Sequence, residues 1–188
     1  MIRQLIGPVA LATLLCGCTG TGGTGGTEFA TTRSSTTNST TNSTAPPPHA
    51  PTIPAQATQH SASGAQAYLA HYYDTSNWAL ATGDTRPLLG LASNACEECN
   101  AFDEEVTMLA LFHSHTDGGR IRVLSSEAVD GQGTGAEVRL QANVEREARI
   151  VTTSGGIPIG NTPATTSVVV AHLEWLGSGW QILELSSA

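Results

Sequence analysis

The feature that most limits what this chain can fold into is a change of composition near residue 63. Residues 19–62 begin Thr19-Gly-Thr-Gly-Gly-Thr-Gly-Gly-Thr27, continue as a Thr/Ser/Asn run to Thr44, and then carry Pro46-Pro47-Pro48, Pro51 and Pro54. Few side chains there can bury apolar area, so little offsets the entropy cost of ordering the backbone. Residues 18–62 are expected to form a disordered tether, flexible at its Gly end and stiffer at its Pro end. Such a coil reaches roughly 35–40 Å, and about 150 Å when fully extended. Any folded domain must come from residues 63–188.

Charge narrows the function classes. Only 13% of residues are charged, against about 25% in ordinary soluble proteins. The deficit is local, because Glu28 and Arg33 are the only charged residues in 19–63. All eight basic residues are Arg, a bias we attribute to GC-rich codon usage and not to chemistry. A net charge of −8 with no basic cluster argues against nucleic-acid binding, which needs a positive footprint. It also argues against adsorption on anionic lipid, so any membrane attachment must be covalent or hydrophobic.

Residues 1–17 have the order of a secretory leader: Arg3, an apolar stretch from Leu5 to Leu15, then small residues. That stretch is shorter than the about 20 residues a membrane-crossing helix needs. Leu15-Cys16-Gly17-Cys18 resembles the bacterial lipobox. The resemblance implies diacylglycerol on the Cys18 thiol, cleavage before Cys18, and stable anchoring through two or three acyl chains. Cys16 lacks the small residue that should precede an acceptor. The expected location is the extracytoplasmic face of the cell membrane. Asn38-Ser-Thr and Asn42-Ser-Thr match a glycosylation sequon by chance on this reading. O-mannosylation of the Thr run and an unmodified linker both stay open.

Beyond the break, the spacing of Ala65, Leu69, Tyr72, Ser76 and Ala79, flanked by Tyr68, predicts a helix. Ser63 is placed to cap it and Gly83 to end it. Leu88, Leu89 and Leu91 mark a short second helical turn. A third helix is expected from an Asn100 cap, with Asp103, Glu104 and Glu105 in its first turn. Its apolar stripe is Phe102, Val106, Leu109, Ala110 and His113, and it should stop at Asp117-Gly118-Gly119. Strands follow. Ile121, Val123 and Ser125 alternate with Arg120, Arg122 and Leu124. Val138, Leu140, Ala142, Val144 and Ala148 predict one long strand to Ile150, with Glu137, Arg139, Gln141, Asn143, Glu145, Glu147 and Arg149 on its wet face. Residues 166–175 and 180–185 predict a last hairpin around Gly177-Ser178-Gly179. The expected fold is α+β: N-terminal helices packed on a curved antiparallel sheet of about four strands.

The closing pattern, Val168-Val-Val-Ala-His-Leu-Glu-Trp-Leu-Gly-Ser-Gly-Trp-Gln-Ile-Leu-Glu-Leu185, resembles the terminal hairpin of nuclear-transport-factor-2-like domains, and the helices-first order agrees. Asn77-Trp-Ala-Leu-Ala-Thr-Gly-Asp-Thr-Arg-Pro-Leu88 with Cys96-Glu-Glu-Cys99 resembles an uncharacterised family of actinobacterial lipoproteins. The first resemblance implies a cone-shaped domain with a cavity between sheet and helices. Tyr72, Trp78 and Trp175 are the wall residues it suggests. Enzymes of that fold use a buried Asp, Tyr or His in the cavity, and no matching catalytic signature is legible here.

Cys96 and Cys99 are expected to form a structural disulfide outside the cytoplasm. A redox role is opposed by Glu97 and Glu98 between the thiols and by the lack of a preceding strand. Zinc would need two more ligands, and His113, His115 and Asp117 do not share a helix face. No metal, cofactor or catalytic residue is therefore expected. The functional expectation is a non-enzymatic module that binds a small apolar ligand, a cell-wall component or an envelope protein. A cavity-based isomerase, dehydratase or hydrolase is the alternative, and a thiol oxidoreductase the third.

Overall fold

The computed structural model describes residues 49–129 and 136–188. The leader, the Cys18 site and most of the tether lie outside the described residues. Helix α1 spans Ala62–Thr82 and α2 spans Glu97–Leu111, with short 3-10 turns at Ala55–Thr58 and Arg86–Leu88. Seven strands follow: β1 His115–Gly118, β2 Ile121–Ala128, β3 Glu137–Arg146, β4 Arg149–Thr152, β5 Pro158–Thr162, β6 Thr165–Trp175 and β7 Trp180–Ser187. They form two antiparallel sheets, one of four strands in the order β2-β3-β6-β7 and one of three in the order β1-β4-β5. The architecture is α+β.

The stripe predicted on α1 is the buried one. Ala65, Tyr68, Leu69, Tyr72, Ser76 and Ala79 are all buried. They meet the inner face of the four-stranded sheet, where Val138, Leu140, Ala142 and Val144 of β3 lie beside Ala171 and Leu173 of β6 and Ile182 and Leu185 of β7. Gly83, at φ +74°, closes α1 by donating its N–H to the Ala79 carbonyl, a left-handed position that a side chain would strain. The N-terminal cap is Ser61 and not Ser63: the Ser61 hydroxyl accepts from the Gly64 N–H at 3.1 Å.

Both edges of the four-stranded sheet are covered, which removes a template for unwanted strand pairing. On β2, the Asn77 side chain accepts from the Ile121 N–H and donates to the Ile121 carbonyl, each at 2.8 Å. Gln66 Nε2 donates to the Ser126 carbonyl at 2.6 Å. On β7, the Ile182 N–H donates to the Leu91 carbonyl and the Ser93 N–H to the Ile182 carbonyl.

The single long strand expected to Ile150 is divided at Glu147–Ala148 into β3 and β4. The cause lies on the neighbouring strand. Gly118 and Gly119 have φ of +76° and +81°, and a Cβ on Gly118 would sit 2.1 Å from the Ala148 carbonyl oxygen. These two glycines turn β1 into β2, and their partner strand bends with them: Gly119 N–H donates to the Ala148 carbonyl and Glu147 N–H to the Arg120 carbonyl. Past the bend the expected faces no longer hold. Ile150 is exposed, whereas the Arg149 side chain is only 13% exposed and ion-paired to Glu105. Only β3 and β4 come from the division of one expected strand; β1 lies where the third helix is expected to stop, and β5 in residues 158–162, where no strand is expected.

Residues 55–60, read from composition as tether, are packed on the domain. Ala57 is fully buried. The Gln59 carbonyl accepts from the Trp180 indole N–H at 2.9 Å, and His60 stacks on Trp175 with centroids 4.9 Å apart. The same carbonyl presses on α1, where a Cβ on Gly64 would lie 2.0 Å from its oxygen. Gly64→Ala should therefore destabilise the domain by about 3 kcal/mol through overpacking. Ser61→Ala should cost about 1 kcal/mol through loss of the cap. Urea midpoints of the two variants measure the difference, and equal midpoints would mean that the Gln59 carbonyl is free to move away.

Candidate functional site

Side chains from α1, α2 and one end of the four-stranded sheet enclose a cleft of about 140 Å³. Helix α1 supplies Tyr72, Tyr73 and Ser76; α2 supplies Glu98 and Phe102. The floor is apolar, made by Ile121, Val144, Val169 and Leu185. The rim on the sheet side is polar, with Arg146 of β3 beside Thr165 and Ser167 of β6 and Ser187 of β7. Register explains this division: Val144 pairs with Ser167, Arg146 with Thr165, and Val169 with Ser187. The inner face is thus apolar along most of its length and polar at one end, where α1 and α2 leave it uncovered.

Burial sets the electrostatics. It pushes the Tyr73 phenol up to about 12, with Glu98 adding to the rise and Arg146 opposing it. Tyr72 is pushed up further, by burial first and then by Asp103 and Tyr73, with the Ser76 hydroxyl opposing. Asp103 itself is held above the usual carboxylate range by burial. Neither phenol can serve as a base near neutrality, because its proton is held far above that range. Arg146 is half-buried and has no carboxylate within 4 Å among the described residues, unlike Arg149, Arg122 and Arg86, which pair with Glu105, Glu145 and Asp84.

Of the three wall residues anticipated from sequence, only Tyr72 lines the cleft. Trp78 lies on α1 outside its lining. Trp175 is at the far end of β6, stacked on His60 and edge-on to Trp180 at 5.3 Å. Its place is in an aromatic cluster that ties residues 55–60 to the last hairpin. Tyr73, Phe102, Arg146 and the β6 hydroxyls were not anticipated. Arg146 was legible by parity, since it continues the inward series Val138, Leu140, Ala142, Val144. Tyr73 was not, because α1 is buried on more than the one stripe that its spacing marks.

Cys96 and Cys99 are joined in a disulfide, Cα–Cα 5.3 Å, and both are buried. Cys96 also takes the capping position expected of Asn100: its sulfur accepts from the Cys99 N–H at 3.3 Å. Helix α2 consequently starts four residues earlier, with Glu97 and Glu98 in its first turn in place of Asp103, Glu104 and Glu105. Asn100 instead donates from Nδ2 to the Asn94 carbonyl. The helix ends before Asp117-Gly118-Gly119: His113 has φ +49°, and His115 and Asp117 stand in β1.

Two measurements test this site. The chain has three tyrosines, and all are raised, Tyr68 and Tyr73 to about 12 and Tyr72 further. From the ordinary phenol value of 10.0 up to about 12, the unfolded chain releases phenolic protons that the folded chain keeps. Stability should therefore be complete below that window and fall as pH rises through it. Absorbance of the folded protein should show almost no phenolate at the pH where a urea-unfolded sample is half ionised. Separately, replacing Cys96 and Cys99 by Ser should cost about 2 kcal/mol, the value expected for so short a loop, and shift the urea midpoint without changing its slope.

Comparison with known proteins adds a family but no activity. No curated protein sequence matches the chain. Among solved structures, the intermembrane space region of the chloroplast protein ARC6 is similar with a TM-score of 0.48 and 15% identity, covering 69% of this chain and 97% of that one. A periplasmic fragment of TraM is similar with a TM-score of 0.36 and 10% identity, covering 65% and 93%. A family model matches residues 36–186; the chain belongs to DUF6318, a family of unknown function.

Proposed function

We propose that this chain is an extracytoplasmic lipoprotein of an actinobacterial envelope, anchored through lipid on Cys18, whose folded domain binds a small ligand in the cleft between its helices and its sheet. The observation that carries the binding reading is the cleft itself. An apolar floor with a polar rim and a pair of tyrosine hydroxyls is the composition of ligand sites, in which burial supplies affinity and a few polar groups set orientation. The domain is, on this reading, of the nuclear-transport-factor-2-like kind. Helices that precede an antiparallel sheet, and a final strand–Gly turn–Trp–strand hairpin, support that assignment.

The anchor reading rests on the leader, with its lipobox-like end at Cys18. No helix among the described residues is long and apolar enough to cross a membrane, so these residues offer no competing helical anchor. The tether would let the domain stand clear of the membrane surface. Binding is favoured over acid–base catalysis because the cleft presents two high-affinity phenols, an arginine and a solvent-exposed glutamate. Neither phenol is poised near neutral pH as a proton-transfer group. The buried Cys96–Cys99 disulfide favours a structural part over thiol exchange, which requires access of an attacking thiolate.

The test is mass spectrometry of the protein extracted from an actinobacterial host, once native and once denatured. Acyl chains on the fragment that begins at Cys18 are expected. So is extra mass that is present natively and lost on denaturation. Cys18→Ser should move the protein from the detergent-soluble membrane fraction to the medium, whereas Cys16→Ser should not. Retention of Cys18→Ser in the membrane would overturn the anchor. An acylated but empty protein would shift the binding role from a small ligand to a cell-wall or protein partner.

A further inference from the structure

The inner face of the four-stranded sheet is uniformly apolar from Val138 to Val144 on β3 and from Leu173 to Val169 on β6. Towards one end of the sheet three neighbouring strands change from apolar to polar at staggered positions: Arg146 pairs with Thr165, Ser167 with Val144, and Ser187 with Val169. β3 places Arg146 there, β6 places Ser167 and Thr165, and β7 places Ser187. Thr165, Ser167 and Ser187 are exposed, as polar rim residues should be, whereas Arg146 is half-buried. A guanidinium on an otherwise apolar face carries a desolvation cost. Elsewhere in this domain that cost is met by a carboxylate: Arg149, the other half-buried arginine of the sheets, has Glu105. Arg146 has no carboxylate within 4 Å among the described residues; the Thr165, Ser167 and Ser187 hydroxyls line the cleft on its side and Glu98 lines it from α2.

We propose that the cleft recognises a small amphipathic monocarboxylate, with the acid group held by Arg146 and the β6 hydroxyls and the hydrocarbon part on the Ile121–Val144–Leu185 floor. The inference rests on the binding reading above and adds the ligand's chemical class. Three observations select it. The arginine's planar fork matches a carboxylate in a two-point hydrogen-bonded pair. Glu98 lines the same cleft, and Asp103 is close enough to raise the Tyr72 phenol. A second negative charge on the ligand would therefore be repelled, which disfavours a phosphate monoester. The cleft, at about 140 Å³, holds roughly ten water-sized groups at 10–15 Å³ each, the size of an acid such as octanoate.

The experiment uses the full chain carrying Cys18→Ser, titrated calorimetrically and by amide chemical shift with octanoate, 1-octanol, octylamine and octyl phosphate. Octanoate should bind best, about tenfold or more tighter than the alcohol, the range of a charge-assisted hydrogen bond, with shifts at Arg146, Ser167 and Tyr72. Arg146→Gln should bring octanoate down to the level of the alcohol and leave the alcohol unchanged, and Arg146→Lys should restore part of the difference. Urea midpoints confirm that each variant is folded. Equal affinity for octanoate and octanol, or an unchanged octanoate affinity in Arg146→Gln, overturns the carboxylate assignment while leaving the cleft as a binding site. Tighter binding of octyl phosphate overturns the single-charge argument. If none of the four probes shifts a cleft residue, the binding reading itself fails.

Discussion

The position of α1 depends on one packing arrangement: its buried stripe set on the apolar inner face of the four-stranded antiparallel sheet. Tyr68 and Tyr72 of that stripe are buried in the shared core, where gaps would forfeit dispersion contacts. Gly118 and Gly119 turn the chain from the three-stranded sheet into β2, and α1 is locked along that edge strand by Asn77 and Gln66. Those two side chains do for β2 what another strand would do. The edge is satisfied without being extended, so the sheet ends there and the helix has a fixed register on it.

The cleft is a consequence of that arrangement. Tyr72 and Tyr73 of α1 and Phe102 of α2 face the end of the four-stranded sheet that carries Arg146, Thr165 and Ser167, and the cleft lies between them. Positions under the middle of α1, such as Leu140 and Ala142, are fully buried and apolar. Positions at the uncovered end are Arg146, Thr165 and Ser167. The capping of α2 by the Cys96–Cys99 pair matters here as well. Starting the helix at Glu97 brings Glu98 and Phe102 onto the cleft; a start after Asn100 would have left this wall without its first turn.

The chain's approach to the domain is fixed by a second, smaller cluster. Gln59, His60, Trp175 and Trp180 join residues 55–60 to the last hairpin, at the end of β6 remote from Thr165. This fixes residues 55–60 at the end of the sheet away from the cleft rim.

Much of this was written locally. The α1 stripe, Gly83 as its stop, the alternation of β3 and the final Gly177-Ser178-Gly179 hairpin depend on periods of 3.6 and 2 and on turn chemistry, and neighbouring residues carry those signals. Arg146 was legible in the same way, as the next inward position of β3. What tertiary structure alone decided involves partners far apart in sequence. The break of the long strand at Glu147–Ala148 is caused by glycines almost thirty residues earlier, so no window on β3 contains its cause. Ser61 displaced Ser63 because the Gln59 carbonyl, held by Trp180, fixes where α1 can begin. Cys96 displaced Asn100 because it is bonded to Cys99 at the first turn. Trp175 looked like a pocket wall by residue type, but a type does not say which end of a strand stands under the helices. Sequence by itself determined α1 with its buried stripe, the alternation of β3 and the last hairpin, because hydrogen bonding and side-chain period are local. Only packing determined where the apolar face is left uncovered, and therefore where a ligand could sit, because coverage depends on the relative placement of α1, α2 and the four-stranded sheet.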